Sequence, residues 1–193
     1  AALRRIIKKI ASSAVTAQDQ EKTLITKKKV LIFCDAHRPV EEMAAALSSD
    51  LDESLVWRES FDPTEEIGKS VVLSVLRFED SLSQRAAAMD SFRGDRPAGG
   101  SPEKSGSPAM RVLLAAGDLG ARGLDIEDIT HVIHFDLPPD ADTYVHRAGR
   151  TGRFQRSGNV LSIVTPEQEF VLRRLTNKLN IPIKCLGRQQ KQS

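Results

Sequence analysis

Val30-Leu31-Ile32-Phe33-Cys34, followed by a turn over residues 35–38 and then by Pro39, decides the class of fold. Five consecutive apolar residues leave no polar face, so the strand they form is covered on both sides, as in a parallel sheet. Pro39 suits the first turn of a helix, where its missing N–H is not needed, and that helix is expected to run through Leu47. The strand-then-helix order recurs downstream. Residues 70–78 read as a strand and 82–92 as a helix with alanines on its tight side. Residues 111–116 and 131–135 read as strands joined through a glycine-bearing turn, Pro138-Pro139 precede a helix starting near 140–142, and 158–164 form a further strand. Thr165-Pro166-Glu167-Gln168 opens the last helix with a capping residue, a proline at the first position and a glutamine that completes a capping box. Strands alternating with helices predict an α/β domain in three layers, a mainly parallel sheet with helices on both faces. In such sheets the chemistry belongs to the loops beyond the carboxyl ends of the strands.

Upstream of this unit, Leu3, Ile6, Ile7 and Ile10 recur at helical spacing, with Arg4, Arg5, Lys8 and Lys9 mostly on the other face. That helix and a polar lead-in account for residues 1–29, the α/β domain is expected over 30–186, and 187–193 form a polar tail. Two stretches interrupt the domain. Residues 50–69 read as an irregular excursion carrying the only tryptophan, Trp57, and 94–109, GDRPAGGSPEKSGSPA, as a Gly/Pro/Ser-rich surface loop.

A chain of 193 residues, 40% apolar and 28% charged, has the balance of a folded globular protein and enough length for one ordinary core. Its apolar runs are far too short to cross a bilayer. The basic start echoes a transit peptide, but it lacks a long apolar stretch, and a helix within a longer chain is the reading adopted. A net charge of +2 does not announce a polyanion binder, so any such surface requires locally grouped basic residues. Cys34 and Cys185 form no CxxC pair and no metal-ligand spacing. Cys34 reads as a small buried filler, and an intracellular, reducing compartment is expected.

Two glycine-bearing turns carry the functional signal. In Tyr144-Val145-His146-Arg147-Ala148-Gly149-Arg150-Thr151-Gly152-Arg153, Arg150 and Arg153 are three residues apart and share one face of a helical turn. Gly149 and Gly152 remove side chains beside them, so that a backbone or a phosphate can come close. Paired guanidinium groups with that clearance suit a triphosphate; an Arg/Gly turn paired with nearby acids is the favourite from composition alone, and the order of the two turns, each after an apolar strand, tips the balance. The second turn, Gly117-Asp118-Leu119-Gly120-Ala121-Arg122-Gly123-Leu124-Asp125, follows the strand 112–116. Asp118 and Arg122 are spaced for a helical ion pair, and Asp125 could cap a turn; alternatively Asp125 accepts from ribose hydroxyls and Arg122 reaches a backbone phosphate.

Taken together, these strings resemble the second half of a DEAD-box RNA helicase. His146 to Arg153, HRAGRTGR, matches the family's HRxGRTGR motif throughout, and Asp118 to Asp125, DLGARGLD, matches its Dxx-ARGxD motif. Val30-Leu31-Ile32-Phe33 is similar to the apolar motif that opens the second, RecA-like domain, and the resemblance runs in order from about Val30 to Ile183. It implies that Arg150 and Arg153 are arginine fingers and that Asp125 contacts the ATP ribose. It also implies that His146, Arg147 and Asp118 link motifs across the cleft, and that Arg85, Gly117 and Arg122 belong to the RNA side. Phe33 is expected to pack beneath the arginines. ATP and Mg²⁺ are the implied cofactors, with the metal ligands on the N-terminal RecA-like domain. RNA and that domain are the implied partners.

The sequence departs from the family on the RNA side. Gly117 stands where the family has threonine, Leu82 where it has the glutamine of QxxR, and Arg77-Phe78 where it has His-Gly. A hydroxyl contact is thereby lost at 117, and restoring Thr there is expected to tighten RNA binding. Gly68-Lys69-Ser70 imitates the end of a phosphate loop, but Pro63 occupies the place of the required glycine and a strand follows. With neither phosphate loop nor DEAD sequence, the chain alone is expected not to turn over ATP. A scaffold that keeps the fold without cycling ATP is the rival reading.

Overall fold

The computed structural model describes residues 2–12, 28–48, 56–58, 70–94, 110–118, 126, 128–154 and 156–186. Six strands in this set, β1 (Lys28–Cys34), β2 (Val56–Arg58), β3 (Ser70–Leu76), β4 (Met110–Ala116), β5 (His131–His134) and β6 (Asn159–Ser162), form one sheet in the order β2-β3-β4-β1-β5-β6. Every neighbouring pair is parallel. The helices are α1 (Ala2–Ser12), α2 (Val40–Ser48), α3 (Leu82–Arg93), α4 (Ala141–Ala148) and α5 (Glu169–Leu179).

The unbroken apolar run in β1 has its reason in the two cores on either side of it. Val30, Ile32 and Cys34 join Leu3, Ile7 and Ile10 of α1 and Val40 and Leu47 of α2 in one cluster. Leu31 and Phe33 point the other way and join Met89 and Phe92 of α3. The period of two along the strand thus feeds both layers at once. α4 covers the same face as α3, because the Tyr144 ring meets His134 edge-on at 4.9 Å and His134 lies beside Phe33. α5 packs on α4 through Leu175, Ala141 and Tyr144. The three-layer α/β arrangement with a parallel sheet is therefore the one that forms.

Local signals set the ends of the elements. Ser81 Oγ accepts from the Gln84 N–H, Gln84 Oε1 accepts from the Ser81 N–H at 2.9 Å, and Gly94 at φ 74° closes α3. Thr165 N–H donates to Gln168 Oε1 at 3.2 Å, one half of the expected box, ahead of α5.

Most strand boundaries differ from the sequence reading by one or two residues, and three differences have a plain physical reason. β1 starts at Lys28, two residues early, because the buried Lys29 is paired with Asp128 at 2.8 Å and so does not interrupt the strand. The excursion 50–69 contains the edge strand β2, whose three residues are too few to show a period; the rest of it lies outside the described residues. β3 ends at Leu76, since the Arg77 N–H turns back to Asp80 Oδ2 at 2.7 Å. Residues 95–109 and 187–193 also lie outside the described set.

β4 and β5 flank β1, so the connection from β4 to β5 crosses β1. The exits of these three strands meet at one edge of the sheet, where ligands of parallel α/β sheets bind.

Candidate functional site

At that edge the exits of β4 and β1 touch. Gly117 has φ +72°, which favours glycine, and a Cβ built there lies 3.0 Å from the Ala36 Cβ, so the space is tight as well. Asp118, the next residue, meets Arg147 of α4 at two points: Arg147 Nε to Asp118 Oδ1 at 2.6 Å and Nη2 to Oδ2 at 2.9 Å. Arg147 Nη1 donates to the Asp136 carbonyl at 3.0 Å, and its guanidinium lies 5.0 Å above the Phe33 ring. One buried arginine therefore ties β4, β5 and α4 together over β1. All its hydrogen bonds are charge-assisted, and two use the planar fork of the guanidinium.

Beside it a second brace joins the exits of β1 and β5. Asp136 Oδ2 accepts from the Asp35 N–H at 2.8 Å and from Arg38 Nε at 2.7 Å, while Arg38 Nη2 meets Oδ1 at 2.5 Å. The Arg38 guanidinium lies 4.9 Å over the Phe135 ring. Below, His134 is fully buried, with Nδ1 3.1 Å from Ser162 Oγ and Nε2 without a hydrogen-bond partner. Burial, aided by the Arg147 charge, pushes its imidazole down to about 3, so it is neutral. Burial, with the Asp136 charge in support, pushes the Cys34 thiol up to about 12, which removes it as a nucleophile.

The arginine pair lies at the far end of α4. Asp140 Oδ1 caps the helix by accepting from the Thr143 N–H at 2.7 Å, and the Gly149 N–H ends it on the Val145 carbonyl at 2.8 Å. Arg150 and Arg153 follow on the connection into β6. Thr151, between them, donates its hydroxyl to the Ile129 carbonyl at 2.5 Å, on the segment that enters β5. The pair thus flanks a residue anchored on the segment that enters β5. Arg153 Nε donates to the Gly149 carbonyl at 2.9 Å. Burial and the neighbouring Arg153 charge lower the Arg150 guanidinium from its usual range.

The sequence matches the family described as helicase conserved C-terminal domain over residues 15–155, most of the chain. The chain belongs to this family. Its relatives place it among the DEAD-box helicases. It is 43% identical over 108 residues to the DEAD-box ATP-dependent RNA helicase CshC of Bacillus cereus, covering 56% of this chain and 24% of that one. It is 42% identical over 114 residues to the probable ATP-dependent RNA helicase YfmL of Bacillus subtilis, covering 58% and 26%. The chain thus spans about a quarter of the length of these relatives. The fold is likewise that of a RecA-like helicase C-terminal domain: the DEAD-box protein SrmB of E. coli, bound to regulator of ribonuclease activity A, superimposes with a TM-score of 0.58 at 24% identity, over 86% of this chain and 78% of that one.

Within this helicase domain the motif residues divide into two groups. Asp118, Arg147 and Phe33 come together, Phe33 beneath Arg147; Asp118 takes Arg147 as its partner. Arg150 and Arg153 stand on the next turn, and His146 is exposed on α4. Arg122 and Asp125 lie outside the described residues. Arg85 holds the turn after β3, donating to the carbonyls of Arg77 at 3.1 Å, Phe78 at 2.9 Å and Asp80 at 3.2 Å. Phe78 and Leu82 project from this turn into solvent. Sequence reasoning missed Asp136 and Arg38, whose pairing spans 98 residues and shows in no local pattern, and Ala36, which explains Gly117.

Proposed function

We propose that this domain supplies Arg150 and Arg153 to the terminal phosphates of an ATP held by the N-terminal RecA-like half of the same protein, and lends one wall to an RNA site. The observation that carries the reading is the pair itself: two guanidinium groups on one short connection, positioned by Thr151 and by α4, which Arg147 braces against the sheet. Their charges act where negative charge redistributes on the transferring phosphoryl group, a service worth ~10³ to 10⁵ in rate in other nucleotide hydrolases. Bound ATP supplies the phosphoryl group and Mg²⁺ its charge neutralisation; Asp125 would hold the ribose, and the metal ligands belong to the other half. His146 faces the cleft from α4 and links the halves. The RNA side comprises Gly117, Arg122 and the turn that Arg85 braces, and it holds phosphate and sugar without reading sequence. The relatives' names support RNA as the substrate class. The work takes place in an intracellular, reducing compartment.

The domain alone, without a phosphate loop, turns over no ATP in this reading, and a steady-state assay on residues 1–193 checks that. The deciding experiment is RNA-stimulated turnover of the full-length protein with Arg150→Ala or Arg153→Ala, beside a thermal melt of each. Lost turnover at unchanged melting supports the reading. Near-normal turnover favours instead an RNA-binding or assembly scaffold of the same fold.

A further inference from the structure

Gly158 lies in the exposed stretch just before β6, seven residues past Thr151, and its φ is outside the left-handed region. Neither backbone twist nor burial therefore explains a glycine there. At such a position alanine is ordinarily neutral or stabilising, through its effect on the unfolded chain. The space is what forbids it. A Cβ at 158 would stand 2.5 Å from the Gly152 backbone nitrogen and 2.8 Å from Thr151 Cγ2, with Thr151 Oγ1 closer still. Real Cβ atoms essentially never come within 3.0 Å of a neighbour, and here neither obstructing residue is free to swing aside. The Gly152 nitrogen is backbone at φ +70°, and Thr151 is buried with its hydroxyl committed to the Ile129 carbonyl at 2.5 Å.

The obstructed residues are the two between Arg150 and Arg153. The rest of the connection is equally tied: the Arg150 and Thr151 N–H groups donate to the carbonyls of Arg147 and Ala148, each at 3.1 Å, and the Arg156 N–H to Arg153, also at 3.1 Å. On the far side, the Asn159 N–H donates to the Thr130 carbonyl at 3.1 Å, so the incoming end of β6 is fixed on the same segment that receives Thr151. The connection is therefore clamped between residues 129–130 and Gly158.

We infer that Gly158 and Thr151 are positioning residues for the arginine pair: bare backbone at 158 lets the Thr151 hydroxyl seat on Ile129, and that seating sets where both guanidinium groups stand. This rests on the reading of Arg150 and Arg153 given above. Neither residue touches the reacting atoms; both act through the pair. Any side chain at 158 lifts Thr151 and Gly152 and moves both arginines, and displacements of about 1 Å in positioning groups cost up to ~10²-fold in rate.

The test is RNA-stimulated ATP turnover of the full-length protein, with kcat and KM for ATP separated and a thermal melt of each variant. Gly158→Ala is expected to lower kcat by about tenfold to a hundredfold, with KM for ATP held within about twofold, because the arginines act on the transition state rather than on ground-state binding. Adding Thr151→Ser, which keeps the hydroxyl and removes the obstructing Cγ2, recovers part of the lost kcat. Thr151→Val, which keeps the shape and removes only the hydroxyl, lowers kcat in the same pattern and serves in place of Gly158→Ala if that variant does not fold. Wild-type kcat in both Gly158→Ala and Thr151→Val, while Arg150→Ala and Arg153→Ala remain inactive, overturns the positioning role and leaves the arginine reading standing. If the two arginine variants are themselves active, the arginine reading has failed, and this inference with it.

Discussion

Arg147 and Asp118 face each other across 29 residues as a two-point ion pair, 2.6 and 2.9 Å, with the arginine 6% exposed and the aspartate 36%. The imbalance decides what each substitution does. Asp118→Ala leaves a buried guanidinium with its fork unmatched, whereas Arg147→Met leaves a carboxylate that water can still reach. We expect Asp118→Ala to destabilise the domain by roughly 2–3 kcal/mol, below the ~3–5 kcal/mol of fully buried pairs because part of Asp118 is solvated. The double variant Asp118→Ala/Arg147→Met should be the more stable of the two, as no buried charge remains. Urea titrations of the three proteins measure this; a double variant no better than Asp118→Ala argues that packing, not charge, holds the junction.

Gly117→Thr reverses sign between sequence and structure. The sequence alone suggested that a threonine would restore a phosphate contact and tighten RNA binding. In the fold, φ is +72° and the added Cβ meets the Ala36 Cβ at 3.0 Å, so a β-branched residue is opposed by both backbone and space. We expect a loss of roughly 2–4 kcal/mol from these two sources together and weaker, not tighter, RNA binding. Ala36→Gly added to Gly117→Thr relieves the contact but not the twist, so about half of the loss should return. RNA titrations at matched salt, beside urea melts, distinguish the outcomes; tighter binding restores the sequence-based view.

The fold was legible from Val30 to Cys34 because a strand covered on both faces must be apolar at every position, a demand that leaves no alternative pattern. The arginine pair was legible because Arg150, Gly152 and Arg153 are neighbours in sequence. What escaped depended on contacts between distant residues. Lys29 looked like a polar lead-in because its partner, Asp128, is 99 residues away. β2 escaped because three residues carry no period, and its strand character comes from pairing with β3. Gly117 looked like a lost function when read against a family motif, whereas the structure reads it against Ala36.

His134 provides a pH dependence of known sign. Its folded value, about 3, lies below the ordinary 6.5, so the unfolded chain takes up a proton that the native protein refuses. Its contribution is therefore fully present above about pH 6.5 and is lost as pH falls toward 3, with a slope of up to ~1.4 kcal/mol per pH unit. Between pH 7.5 and 5.0 this one group should remove about 2 kcal/mol. His131, also lowered by burial and by the Lys28 charge, adds to the same trend. His134→Phe fills similar space beside Phe33 and Tyr144 and cannot titrate, at the cost of the Ser162 bond. We expect it to be less stable at pH 7.5 but to lose about 2 kcal/mol less on acidification. Urea midpoints at the two pH values measure the difference; equal slopes would show that His134 is not held neutral by burial.

Lysine in place of either arginine separates charge from geometry. Arg150 and Arg153 each present a planar fork with five donors, and on the 149–158 connection the two are close enough that their charges interact. An ammonium keeps the charge but is shorter by its terminal group, is more strongly hydrated and cannot offer two parallel donors to a pair of phosphate oxygens. If charge alone mattered, Arg150→Lys and Arg153→Lys would retain most of the RNA-stimulated turnover of the full-length protein. If the fork matters, both should fall nearly as far as the alanine variants, by at least ~10²-fold, with KM for ATP changed much less. The two positions need not respond alike. Arg153 Nε is already committed to the Gly149 carbonyl at 2.9 Å, so its head group is held in place by its own turn. A lysine at 153 loses that tether as well as the fork, and Arg153→Lys should therefore be the more damaged of the pair. A larger loss at Arg150, or near-normal turnover in both, would show that the tether and the fork are not what the site uses.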